Sequence, residues 1–196
     1  MQTNFQSYYQ VFKTLNSKMT DEEWAYFESG LTVREFKSRA NFIEANKKNQ
    51  LLGFVTSGLI RGFYVNELGE DITTTFIKEY EFVTDYPSLL SYKPSRYNFQ
   101  CLEPCVIITI NFEHIRTGYD RFTGFERNGR LIAEEILKNQ QKRIESFQFD
   151  SAETRYLDFV KENPQLFNRI SLTHLSSYLG IERPSLSRIR KKIVGL

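Results

Sequence analysis

Residues 171–192, SLTHLSSYLGIERPSLSRIRKK, decide the reading of this chain. Leu175, Leu179 and Ile181 fall on one apolar side, and Leu186 and Ile189 on another. The spacing predicts two short helices meeting at Gly180, the residue that best tolerates the backbone of a tight interhelical turn. Ser176 is small enough to let the helices cross closely, and the Ser171 hydroxyl can cap the first helix. Pro184 falls in the first turn of the second helix, where its missing N–H costs nothing. With Leu186 and Ile189 turned inward, Arg183, Ser187, Arg188 and Lys191 share the outward face. This is the pattern of a helix-turn-helix whose second helix enters a DNA major groove. Arg183 and Arg188 are the expected base readers, because a guanidinium can grip guanine O6 and N7 with two bonds; Ser187 adds a weaker contact. Ser171, Thr173, Ser185 and Lys191 are expected on phosphates. The competing reading is a helical hairpin with a solvated basic face, and so many constraints met in one window weigh against it.

The charge around this stretch is polarised. The whole chain of 196 residues carries a net charge of only +2. Residues 181–196 hold Arg183, Arg188, Arg190, Lys191 and Lys192 against Glu182, which is five cations less one carboxylate, or +4. A near-neutral body with one basic end suits a specific DNA binder better than a general nucleic-acid coat. No apolar run approaches the ~20 residues of a membrane span. The start, MQTNFQSYYQ, lacks the basic and apolar regions of a signal peptide. Cys101 and Cys105 are too few for a zinc site or a disulfide framework, and read as two buried thiols. The expected setting is the reduced cytoplasm, with no cofactor, no metal and no membrane partner.

Working towards the N-terminus, Ser151, Glu153 and Thr154 open a helix that buries Tyr156, Leu157, Phe159 and Val160 and ends at Asn163-Pro164. Before it, Phe122, Phe125, Gly129, Ile132, Ala133, Ile136, Leu137, Gln140, Ile144 and Phe147 follow steps of three and four. They predict a helix of about 25 residues, roughly 38 Å long, more than a small β domain can cover. A narrow apolar seam on such a helix is expected to pair two subunits; the alternative is a helix packed wholly on its own β domain. From Val33 to Phe112 the texture is short β segments: Leu52–Val55, Leu59–Val65, Thr73–Ile77 and Cys105–Phe112. NELGED at 66–71 is a hairpin turn, and the stretch between Pro87 and Pro94 reads as irregular. So many short strands predict a sandwich, roll or jelly roll. A helix is expected from Thr20, with Trp24, Phe27 and Leu31 on its apolar side.

A β roll, a long helix and a C-terminal helix-turn-helix, in that order, resemble the cyclic-AMP receptor and fumarate–nitrate regulator (Crp/Fnr) family. FVTSGLIR at 54–61 resembles that family's second β hairpin, and NELGEDIT at 66–73 its next turn and strand. SAETRYLDFVKENP at 151–164 is similar to the helix ahead of its DNA-binding helices; YLGI at 178–181 and LSRIRKK at 186–192 match most sharply. The resemblance implies an α+β chain. A sensor-like double-stranded β-helix (jelly roll) would span 1–117, a dimerisation helix 118–147, and a helix-turn-helix DNA-binding domain 148–196. With the sequence stopping at Leu196, no C-terminal wing hairpin is expected. The implied function is a sequence-specific transcription regulator, a homodimer on a pseudo-palindromic double-stranded site, with RNA polymerase as a further contact.

Departures from the family pattern redirect the expected ligand. Where nucleotide-binding members hold ribose and phosphate with a Gly-Glu pair, this chain has Thr84-Asp85; where they place Arg and a small polar residue, it has Ser95-Arg96-Tyr97. Thr84 denies the close backbone approach that Gly allows, and Tyr97 crowds the phosphate position. Asp85 and Arg96 are the remaining candidates for an effector contact, and cyclic AMP is not the expected effector. Two cysteines cannot hold the family's iron–sulfur cluster, and His114 and His174 lie outside a haem pocket. Pro184 stands where many members use Glu to read cytosine, so the usual half-site does not carry over. The rival readings are a ligand-binding module signalling through protein partners, and a cupin-like enzyme. The enzyme would need clustered His and carboxylate ligands that two histidines cannot supply.

Overall fold

The computed structural model describes residues 5–194, so Gly195 and Leu196, where a wing would begin, lie outside the described residues. Helices α1 (Gln6–Leu15) and α2 (Asp21–Ser29) precede strands β1 (Thr32–Phe36), β2 (Asn41–Ile43), β3 (Leu51–Ser57), β4 (Ile60–Val65), β5 (Asp71–Ile77) and β6 (Phe82–Val83). Then come α3 (Tyr86–Ser91), β7 (Asn98–Cys101), β8 (Cys105–Asn111), α4 (Phe112–Arg121) and α5 (Thr123–Phe149). The chain continues through α6 (Ala152–Glu162), a short 3-10 turn at Pro164–Leu166, α7 (Leu172–Leu179) and α8 (Arg183–Val194).

Two four-stranded sheets form, ordered β1-β8-β3-β6 and β2-β7-β4-β5. Strand β8 pairs antiparallel with β1 and β3, β3 with β6, and β2 with β7. Their inner faces enclose Ile43, Val55, Ile60, Ile77, Val83, Phe99, Cys101, Cys105 and Ile107. Residues 54–61 are not the hairpin that the sequence suggested. Strands β3 and β4 belong to different sheets, and the chain turns the corner at Gly58 with φ +100. A Cβ there would lie 2.5 Å from Cys105 Sγ. The NELGED hairpin does form between β4 and β5, with Gly69 at φ +78 and Asn66 Oδ1 accepting from the Leu68 and Glu70 amides.

The chain divides into two compact units, one of residues 1–62 and 76–135, the other of 63–75 and 136–196. In the first, an aromatic cluster joins helices to the sheet. Tyr8 stands 4.6 Å from Phe54, Phe12 4.6 Å from Phe27, and Phe27 5.2 Å from Phe125. Helix α1 escapes sequence prediction because its N-cap, Phe5, makes no side-chain cap; only the Tyr8–Phe12 spacing betrays it. Helix α2 begins as expected, with Thr20 and Glu23 forming a capping box. Glu23 also ties α2 to the start of α5, where its Oε1 accepts from the Gly124 amide at 3.1 Å. The stretch between Pro87 and Pro94 is not irregular throughout, since α3 forms there on the Asp85 cap.

In the second unit, α6 is capped by Ser151 and ends at Asn163 as expected. Tyr156 and Phe159 are buried, but Leu157 is 44% exposed, which corrects its placement on the buried side. The start of β5 meets α7: the Thr73 amide donates to Ser177 Oγ at 2.8 Å, and that hydroxyl donates to the Asp71 carbonyl at 3.1 Å. Arg143 of α5 donates to the Tyr178 carbonyl at 2.8 Å and stacks 4.1 Å over the Tyr178 ring. No helix among the described residues is long and apolar enough to cross a membrane.

Candidate nucleic-acid interface

The α7–α8 pair is organised around Gly180. The residue sits at φ +61, in the left-handed region, and the Ile181 amide returns to the Ser176 carbonyl at 3.0 Å. A Cβ on Gly180 would meet Phe147 Cε1 at 2.6 Å, so both backbone angle and space favour glycine here. Arg155 braces the same turn, donating from Nε to the Leu179 carbonyl at 2.9 Å and from Nη1 to the Asp150 carbonyl at 2.7 Å. Ser171 caps α7 by accepting from the His174 amide at 3.1 Å. Ser176 is buried, its hydroxyl donating to the Thr173 carbonyl. Leu175, Leu179, Ile181 and Leu186 are buried between the helices, and Ile189 is half-buried.

This packing leaves one side of α8 to solvent. Arg183, Arg188 and Lys191 are exposed, with Ser185 and Ser187 half-buried beside them; Ser171 and Thr173 are exposed on α7. Arg188 Nη2 donates to Ser185 Oγ at 3.3 Å. Of the seven residues singled out for DNA, five lie on α8, and Ser171 and Thr173 lie at the start of α7. Two further cations of the basic end are engaged within the protein. Lys192 pairs with Glu153 at 3.0 Å, and the Arg190 guanidinium lies 4.6 Å over the Phe167 ring. The net charge of the segment overstates what is open to a ligand, because sequence alone does not reveal which cations have partners.

The effector candidates are placed differently. Asp85 is buried and caps α3, one oxygen accepting from the Ser88 amide at 3.4 Å, the other from the Ser95 hydroxyl at 2.7 Å. Ser95 is itself buried and accepts from the Tyr97 amide at 3.0 Å. Arg96 is exposed, and Tyr97 packs against the core of the roll. Asp85 therefore serves the local fold, and Ser95, which sequence reasoning passed over, is its partner. Cys101 and Cys105 are buried free thiols. A hydrogen bond with Cys105, and burial after it, push the Cys101 thiol well above its usual range. Among the described residues no group of three or more His, Cys, Asp or Glu could hold a metal ion.

Asn128 on α5 also escaped sequence reading. It is 2% exposed and its Oδ1 has no hydrogen-bond partner. An asparagine on the apolar face between Phe125 and Ile132 was the available signal.

No family model and no curated protein matches the sequence. Solved structures do match. FixK2 from Bradyrhizobium japonicum aligns with TM-score 0.75 at 13% identity, over 84% of this chain and 85% of that one. The c-di-GMP responsive global regulator CLP of Xanthomonas campestris aligns with TM-score 0.70 at 14% identity, over 90% and 92%. A transcriptional regulator assigned to the crp/fnr family from Eubacterium rectale aligns with TM-score 0.70 at 15% identity, over 93% and 87%. At these identities the likeness is one of fold, and the chain has the fold of the Crp/Fnr regulators.

Proposed function

We propose that this chain is a homodimeric, sequence-specific DNA-binding transcription regulator of the Crp/Fnr type, working in the cytoplasm and not controlled by cyclic AMP. The carrying observation is the α7–α8 pair, where buried Leu175, Leu179 and Leu186 fix α8 with Arg183, Arg188 and Lys191 exposed on one side. Residues 148–196 form the DNA-binding domain, 118–147 the dimerisation helix and 1–117 a sensor-like roll. Arg183, Arg188 and Ser187 read base edges, while Ser171, Thr173, Ser185 and Lys191 hold phosphates and set register. On a two-fold dimer the recognition helices stand about 34 Å apart, one turn of DNA, and so read a pseudo-palindrome. RNA polymerase is the further partner expected of a regulator of this type. Selection of bound duplexes from a random pool tests the reading: an enriched pseudo-palindrome supports it, and a pool without any enriched motif contradicts it.

Independence from cyclic AMP rests on Thr84, Asp85 and Tyr97. The Asp85 carboxylate is already engaged by the Ser88 amide and the Ser95 hydroxyl, and Tyr97, at the position where the family resemblance expects a small polar residue beside the phosphate, packs its ring against the roll core. Calorimetric titration should give no saturable heat with cyclic AMP; tight binding that alters DNA affinity would overturn this part.

A further inference from the structure

Among the described side chains of α8, Arg183, Pro184, Arg188, Lys191 and Lys192 are exposed, and of these only Pro184 has no polar atom. Its place in the helix follows from the backbone. The Leu186 amide donates to the Glu182 carbonyl at 2.9 Å, which makes Pro184 the second residue of α8. An amide there would find no partner inside the helix, so proline costs the helix nothing. At about 3.6 residues per turn, Pro184 falls within the arc between Arg183 and Arg188, one turn from Arg188. Leu186, on the opposite side, is fully buried. We propose that Pro184 determines specificity: its ring packs on the 5-methyl group of a thymine in each half-site, beside the bases that Arg183 and Arg188 grip.

This preference rests on the reading of α8 as a DNA recognition helix, and the chemistry of the groove then selects the base. In the major groove guanine presents acceptors, cytosine a donor, and adenine one of each; thymine alone adds a methyl group to its acceptor. A proline ring answers neither donor nor acceptor. Against guanine, cytosine or adenine it would displace water from a polar edge and leave that edge unpaired. Against thymine it buries the methyl group instead, which is favourable. The ring is also closed onto the backbone, so it cannot swing out of the groove as a longer side chain could. The guanidinium groups on either side only donate, which suits guanine. The expected half-site therefore carries guanine opposite the arginines and thymine opposite Pro184.

The test uses the full chain and the duplex that it enriches from a random pool. Each thymine of one half-site is replaced in turn by deoxyuridine, which lacks only the methyl group, and binding is measured at fixed salt. One replacement should weaken wild-type binding by about fourfold, the worth of one buried methyl group. Pro184→Gly should bind that thymine duplex and its deoxyuridine counterpart alike. Pro184→Ser, which also removes the ring, makes the same comparison if the glycine variant does not fold. The proposal is overturned if no replacement weakens wild-type binding, as when the ring faces the sugar–phosphate backbone. It is equally overturned if the loss persists in the variant without the ring. Either result leaves the DNA-binding reading standing, whereas a pool with no enriched motif defeats that reading and this inference together.

Discussion

The two halves of α5 are covered to very different degrees. In the first, Phe125, Asn128 and Ile132 are 3%, 2% and 8% exposed, held by rings such as Phe27 and by the cap that Glu23 places on Gly124. In the second, Leu137 is 66% exposed and Ile144 52%, though both continue the same apolar period. The first half is core. The second presents Leu137 and Ile144 to solvent, with Gln140 between them at coiled-coil spacing, the pattern that a second copy of the helix would bury. Phe147 stands apart from this seam, because its ring meets the Gly180 turn and the Arg143 and Arg155 guanidinium groups. On the proposed reading, one apolar period along the helix serves folding in one half and association in the other.

Substitutions in the two halves should separate these roles. Phe125→Ala removes a buried ring and leaves a cavity, and should destabilise the folded chain by about 3–5 kcal/mol in denaturant unfolding. A loss under about 1 kcal/mol would show that the first half is not core. Leu137→Glu should instead leave the stability of the subunit within about 0.5 kcal/mol, since the site is exposed. It should weaken self-association by roughly a hundredfold, about 2.7 kcal/mol, by placing a carboxylate in the seam. Sedimentation at micromolar concentration checks this: a wild-type monomer, or a variant that dimerises as well as wild type, breaks the comparison.

How far the sequence disclosed these features depended on whether a local rule governed them. The Gly180 turn, the Ser171 cap and the helix starts at Ser151 and Thr20 follow from short-range backbone chemistry, and each stands where the residues placed it. Helix α1 has no cap signal, and the corner at Gly58 differs from a hairpin only in which sheet each strand joins, a long-range outcome. The length of α5 foretold that part of it would outrun its own domain but not which half, because periodicity tells which residues share a face and not what lies against it. At the candidate interface, residue type and helical phase were enough to anticipate that Arg183, Arg188 and Lys191 are exposed on α8. The engagement of Lys192 and Arg190 depended on Glu153 and Phe167, distant in sequence.

The central claim is that α8 reads DNA sequence from a dimer, and Arg188 tests it most directly. Equilibrium binding to a selected site and to random duplex should be compared for wild type, Arg188→Ala and Lys191→Ala across a range of salt. Arg188→Ala should lose about 1–3 kcal/mol on the selected site and relax preference at one base pair in each half-site. Lys191→Ala should weaken binding to every duplex alike and lower the salt slope by about one. If Arg188→Ala discriminates selected from random duplex as well as wild type does, the exposed side of α8 is not the recognition surface.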